Sequence, residues 1–154
     1  MHINLIDIPK VEDATGNVGI IEKSVVPFEI KRVFYLFDIA EGVTRGRHAH
    51  KKLLQFIIAI SGSFDVVMKD GTSEERVNLN SPVKGLLIQN GIWSELENFS
   101  SGAVCMVIAS EVYDEKDYIR DLSEFEKFLC EKIKVDGKAG NFGTKVRLIV
   151  YSMI

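Results

Sequence analysis

Apolar residues in this chain come in short runs of strand length, separated by turn signals. The segments "RVFYLFDI" (32–39), "LLQFIIAI" (53–60), "SFDVVMKD" (63–70), "GLLIQ" (85–89) and "AVCMVIAS" (103–110) are rich in β-branched and aromatic residues and predict five strands. Between or beside them stand Glu41-Gly42, Ser61-Gly62, Asp70-Gly71, Asn90-Gly91 and Ser101-Gly102, dipeptides suited to tight turns. Asp70-Gly71 precedes the alternating "TSEERVNL", which predicts a hairpin. Many short strands at even spacing, with no helices between them, predict an all-β antiparallel sandwich or barrel.

One helix is expected, near the end of the chain. Ser123 followed three residues later by Glu126 has the form of a capping box, in which the two side chains satisfy exposed backbone N–H groups. Leu122, Phe125, Leu129 and Lys132 fall near one face, with Phe128 and Ile133 beside it, so the helix should pack on the barrel. After residue 135 the pattern changes to the Gly-rich "DGKAGNFGTK" and then the apolar "VRLIVYSMI". We therefore expect one domain over 1–135 and a linker with an apolar tail over 136–154.

Length and composition agree with this division. A chain of 154 residues, 46% hydrophobic and 27% charged, suits one compact domain with a real core. A net charge of −3 argues against a nucleic-acid partner, which would call for a basic stripe. Cys105 and Cys130 lack ligand-like spacing and predict free thiols in a reducing compartment. The start, "MHINLIDIPKVED", lacks the features of a secretory signal, and the apolar runs fall far short of the ~20 residues that span a bilayer. The expectation is a cytoplasmic protein without a membrane partner.

The chemistry concentrates in "RGRHAHKKLLQ" (45–55). Residues i and i+2 of a strand share a face, so His48 and His50 project together, into the interior of a barrel. The run from Gly42 through His48, His50 and Gln55 to Gly62 has the spacing of the first cupin motif, G-x5-H-x-H-x(3–4)-E-x6-G. Gly91, Ser94 and Asn98 align with the end of the second, P-x-G-x2-H-x3-N. The chain thus resembles a cupin, a double-sheet jelly-roll barrel. The resemblance implies metal ligands at four places, and here Gln55 replaces the Glu and Ser94 the second-motif His. An amide and a hydroxyl are poor substitutes for a carboxylate and an imidazole, so no bound metal is expected.

Within the cupins, "KRVFYLFDI", "RGRHAHKK", "SGSFDVVMKDG", "KGLLIQNGIW" and "ASEVYDEKDYIRDLSEF" resemble the WxcM-like sugar-nucleotide ketoisomerases, from about residue 3 to about residue 130. That resemblance implies conversion of dTDP-4-keto-6-deoxyglucose into a 3-keto-6-deoxyhexose, and a homodimer with exchanged N-terminal strands. The reaction moves a proton from C3 to C4 through an enediol and needs no cofactor. An imidazole is a suitable base.

On this reading His50 is the principal base, His48 shuttles protons between the oxygens, and Tyr35 hydrogen-bonds a sugar oxygen. Arg45 is the first candidate for the diphosphate, on the expectation that a regular strand places it on the histidine face, with Arg32 and Lys51 as second choices. Gln55, Trp93 and Ser94 are candidate substrate contacts, although Trp93 equally suits plain core packing. Glu95 is an alternative acid, and "YDEKDYIRD" (113–121) is expected to pack against the site or a neighbouring subunit or to form a solvated loop. Two competing readings are a metal-dependent cupin oxygenase, which would retain stoichiometric metal, and a nucleotide-sugar-binding cupin without catalysis.

Overall fold

The computed structural model describes residues 1–22 and 24–136; the expected linker and apolar tail lie almost wholly outside them. Twelve strands and one helix follow in order: β1 (Asn4–Asp7), β2 (Lys10–Asp13), β3 (Gly16–Gly19), β4 (Arg32–Leu36), β5 (Arg45–His50), β6 (Gln55–Ser61), β7 (Phe64–Lys69), β8 (Glu74–Leu79), β9 (Lys84–Ile88), β10 (Trp93–Glu97), β11 (Val104–Ala109), β12 (Tyr118–Ile119) and α1 (Leu122–Asp136). One five-stranded sheet runs β1-β9-β6-β11-β4 and the other β12-β5-β10-β7-β8. Every pairing is antiparallel. The β2–β3 hairpin stands apart, all eight residues exposed.

All five expected strands are present. The first ends earlier than read, at Leu36, because the chain turns through a positive φ at Asp38. Period-2 alternation sorts the side chains. Ile57, Phe64, Val66, Met68, Leu86, Leu96, Cys105 and Val107 meet between the sheets. β6 has no polar face because both sides are covered: Phe56 and Ile58, on its outer side, pack under Val25 and Val26. At the β6–β7 corner Gly62 has φ +64°, and a Cβ there would lie 2.5 Å from Ser100 Oγ, so the motif glycine has a steric reason.

The helix starts differently from the expectation. Asp121, rather than Ser123, is the cap: its Oδ1 accepts from the backbone N–H of Ser123 (2.9 Å) and Glu124 (3.1 Å). The frame therefore moves two residues towards the N-terminus, with Glu124 at the position assigned to Glu126. The buried stripe is shorter than expected. Phe125 is 2% exposed against Ala49, Trp93 and Ile119, with Phe128 and Leu129 beside it, while Leu122 and Ile133 lie exposed.

Candidate active site

A cavity of about 410 Å³ opens between the two sheets. Its floor is apolar, from Phe34, Leu36, Ile57, Leu96 and Val107; its polar groups come from Arg45, His48, Gln55, Ser94, Tyr118 and Arg120. His48 and His50 project from β5 to the same side, their rings perpendicular with centroids 4.9 Å apart. His48 forms part of the cavity surface, and its Nδ1 is buried without a hydrogen-bond partner. His50 lies one layer deeper, 5% exposed.

The second imidazole is held at both nitrogens. His50 Nδ1 is 3.0 Å from Asp117 Oδ2, and its Nε2 is 2.8 Å from the amide nitrogen of Gln55, a residue of the cavity lining. Burial, reinforced by the neighbouring His48, pushes His50 down to about 4 although Asp117 opposes the shift. Burial also lowers His48. Both rings are therefore neutral at pH 7, the form able to accept a proton.

Gln55 and Ser94 thus occupy the places their spacing suggested: one bonds His50, and the other faces His48 directly across the β5–β10 pair. Among the described residues no group of three or more His, Cys, Asp or Glu is arranged to hold a metal ion.

Arg45 also reaches the cavity, for the opposite reason to the one expected. A regular strand places residues three apart on opposite faces, so Arg45 would point away from His48. Instead β5 carries a bulge. His48 faces Ser94, but Gly46 faces Glu95 and Arg45 faces Leu96, leaving Arg47 without a counterpart. Gly46 and Arg47 take φ of +79° and +59°, and the extra residue turns Arg45 inward.

Four candidates lie elsewhere. Tyr35 is 64% exposed on the outer face of β4, because Phe34 and Leu36 take the inward positions. Trp93 is buried beneath α1 against Phe125, its indole N–H donating to Glu95 Oε1 (2.8 Å). Glu95 shares that outward side of β10, near Lys69 and Arg47, and has no access to the cavity. Lys51 Nζ donates to the Lys116 carbonyl oxygen (2.8 Å), fastening a turn. Arg32 adjoins the cavity, its guanidinium 3.4 Å from the Tyr118 hydroxyl and packed over the Phe34 and Tyr113 rings, with Nε buried and unpartnered.

The segment 113–121 packs against the site, one of the placements expected of it. A 3₁₀ turn over Glu115–Asp117, capped by Asp114, delivers β12 to the edge of β5, where Tyr118 and Ile119 pair with His50 and Ala49. Alternation then sends Tyr118 towards the cavity and Ile119 into the core. The Tyr118 ring is 5.0 Å from that of His48, so the phenol beside the histidines is that of Tyr118 and not that of Tyr35. Arg120 lies over the Tyr118 ring at 4.3 Å and grips Glu115 through two hydrogen bonds of 2.7 and 2.9 Å, which hold the Glu115 carboxyl down at about 2. The legible signal for this group was Tyr118-Ile119-Arg120, a polar–apolar–polar alternation after an acidic turn.

Comparison with known proteins places this arrangement. The TDP-4-oxo-6-deoxy-alpha-D-glucose-3,4-oxoisomerase of Aneurinibacillus thermoaerophilus is 42% identical over 132 residues, 85% of this chain and 95% of that protein. Among solved structures, a histidine-to-asparagine variant of the 3,4-ketoisomerase from Thermoanaerobacterium thermosaccharolyticum, in complex with TDP-4-keto-6-deoxyglucose, superposes with a TM-score of 0.81. It is 38% identical, over 84% of this chain and 94% of that one. The TDP-quinovose 3,4-ketoisomerase of Campylobacter jejuni superposes with a TM-score of 0.78 at 42% identity, over 81% of this chain and 97% of its own. Residues 1–130 match the family described as WxcM-like, C-terminal, and with this barrel and these relatives the chain belongs to that family.

Proposed function

We propose that this protein is a sugar-nucleotide 3,4-ketoisomerase that converts TDP-4-keto-6-deoxyglucose into a TDP-3-keto-6-deoxyhexose by histidine acid–base catalysis. The relatives named as 3,4-ketoisomerases support the substrate class. The observation that carries the chemistry is the pair of neutral imidazoles at a cavity that also presents Arg45. His50 removes the C3 proton, and the electron pair forms the C3–C4 double bond of an enediol as the C4 oxygen gains a proton. Return of a proton to C4, with loss of the O3 proton, leaves the carbonyl at C3. The step balances internally and consumes no oxidant. His48, on the cavity surface, exchanges protons with the two oxygens.

Arg45 is positioned to hold the diphosphate through parallel N–H donors, because its guanidinium is otherwise unpaired among the described residues, whereas Arg120 is committed to Glu115. Ser94 and Gln55 offer hydrogen bonds to the sugar. The test is incubation with TDP-4-keto-6-deoxyglucose in D₂O, followed by NMR. Movement of the carbonyl to C3 with deuterium entering at C4 is expected; an unchanged carbonyl position overturns the assignment.

We read the enzyme further as a cytoplasmic homodimer with exchanged N-terminal strands. Val33, Tyr35 and Phe37 leave 54–64% of their surfaces exposed on or just beyond the edge strand β4, and Val11 and Val18 are bare on the β2–β3 hairpin. β1 pairs with the chain's own β9 over four residues, a register that an exchanged strand would reproduce on the partner. Light scattering should give twice the chain mass of 17.3 kDa, and a monomer mass overturns the reading. Free Cys105 and Cys130 are in keeping with a reducing compartment.

A further inference from the structure

We infer that Asp117 is a positioning residue for the isomerisation: it sets the tautomer of His50 so that Nε2 presents a lone pair towards the cavity. The inference rests on the assignment of His50 as the base.

Asp117 is 9% exposed, and its carboxylate is surrounded by donors. Its Oδ1 accepts from the backbone N–H of Lys52 at 2.8 Å. Its Oδ2 accepts from the backbone N–H of Leu53 at 3.3 Å and stands 3.0 Å from His50 Nδ1. A group that only accepts hydrogen bonds requires a proton on Nδ1. The neutral ring then has its free lone pair on Nε2, where the Gln55 amide N–H donates to it at 2.8 Å. This is the less favoured tautomer of a free imidazole, so the protein has to impose it. Gln55 lines the cavity, and an incoming substrate that displaces its amide finds Nε2 ready to take a proton.

The same residue fixes the ring in space. The Asp117 carbonyl accepts from Lys51 N–H (2.9 Å), and its own N–H donates to the Asp114 carbonyl (3.1 Å). One residue thus ties the end of β5, the β5–β6 connection and the turn leading into Tyr118. The carboxylate also faces the imidazolium that forms when Nε2 is protonated, and stabilises it there.

The experiment compares Asp117→Asn and Asp117→Glu with the unsubstituted protein by ¹⁵N NMR of histidine-labelled samples at neutral pH, together with turnover, thermal stability and TDP binding. In the parent, His50 should carry its proton on Nδ1. In Asp117→Asn the amide NH₂ cannot accept from Nδ1–H, so the proton should move to Nε2. There kcat should fall by at least ~10², while TDP affinity stays within about threefold. Asp117→Glu retains a carboxylate and should keep the parent tautomer and recover part of kcat.

A parent His50 protonated on Nε2, or an Asn variant that retains the Nδ1–H form, overturns the inference. So does an Asn variant whose kcat and TDP affinity fall together with the tautomer unchanged. If Asp117→Asn does not fold, the Glu variant decides, since a Glu variant with Nε2–H also overturns it. The tautomer is read without substrate, so a correct tautomer in a protein that leaves the carbonyl at C4 refutes the ketoisomerase assignment alone.

Discussion

Tyr118 lies directly opposite His50 across the β5–β12 pair, with ring centroids 4.3 Å apart. A strand of only two residues therefore closes the cavity wall beside both imidazoles, and its hydroxyl reaches towards Arg32. Removing that hydroxyl in Tyr118→Phe should lower kcat/KM by about 2- to 12-fold, corresponding to the ~0.5–1.5 kcal/mol of one hydrogen bond. Tyr35→Phe, on the outer face, should stay within the ~0.5 kcal/mol of ordinary surface substitutions. Steady-state kinetics on both variants makes the comparison; equal losses at the two positions refute the placement.

His50→Ala should lower kcat by ~10²–10⁴, the range for loss of a general base. His48→Ala should slow exchange at the sugar oxygens and leave TDP binding intact. Turnover in D₂O distinguishes them: a nearly normal His50 variant beside a dead His48 variant reverses the two roles.

The acid limb of kcat/KM should lie near pH 4 rather than at the 6.5 of an ordinary histidine, because His50 must be neutral to accept a proton and burial holds it down. The same shift appears in stability. Between pH 6.5 and about 4 the unfolded chain takes up a proton that the folded one refuses, so folding loses on the order of 3 kcal/mol as pH falls through that window. Activity profiles and chemical denaturation at pH 7 and pH 4.5 check both limbs. In His50→Gln the stability loss attributable to this group should vanish.

Gly46→Ala places a Cβ 3.0 Å from the Ser94 carbonyl oxygen on a backbone with φ +79°. It should cost ~1–3 kcal/mol of stability and weaken TDP-sugar binding by displacing Arg45. Denaturant unfolding and a binding titration measure the two effects. Loss of stability with unchanged affinity would show that Arg45 does not hold the diphosphate.

The barrel was legible because β propensity and turn dipeptides are local signals, and the H-x-H spacing is what puts both imidazoles on one side of β5 with Gln55 beside His50. Facing was less legible. Whether Tyr35 or Phe34 points inward is settled by which neighbours cover the other side of β4, and Trp93 faces outward because α1 lies over it. The helix start differs because Asp121 and Ser123 both suit a cap, and the cap is the one whose side chain accepts from the first backbone N–H groups, Asp121. Asp117 and Arg120 sat unassigned in a charged run, since their roles depend on a turn that carries them some 65 residues back along the chain to β5.

The extra residue at Arg47 divides β5 into two independently addressable halves. Beyond it, the reading frame that selects His48 and His50 is fixed by Ser94 and Tyr118 across the strand pairs. Before it, the frame is reversed, so residues 44–46 meet the cavity on their own schedule. Deleting Arg47 would set Arg45 two residues before His48 in a regular strand and keep it on the histidine face, so the bulge is what lets a residue three before His48 share that face. One residue of chain length, rather than any side chain, separates the part of the strand proposed to transfer protons from the part proposed to hold the substrate.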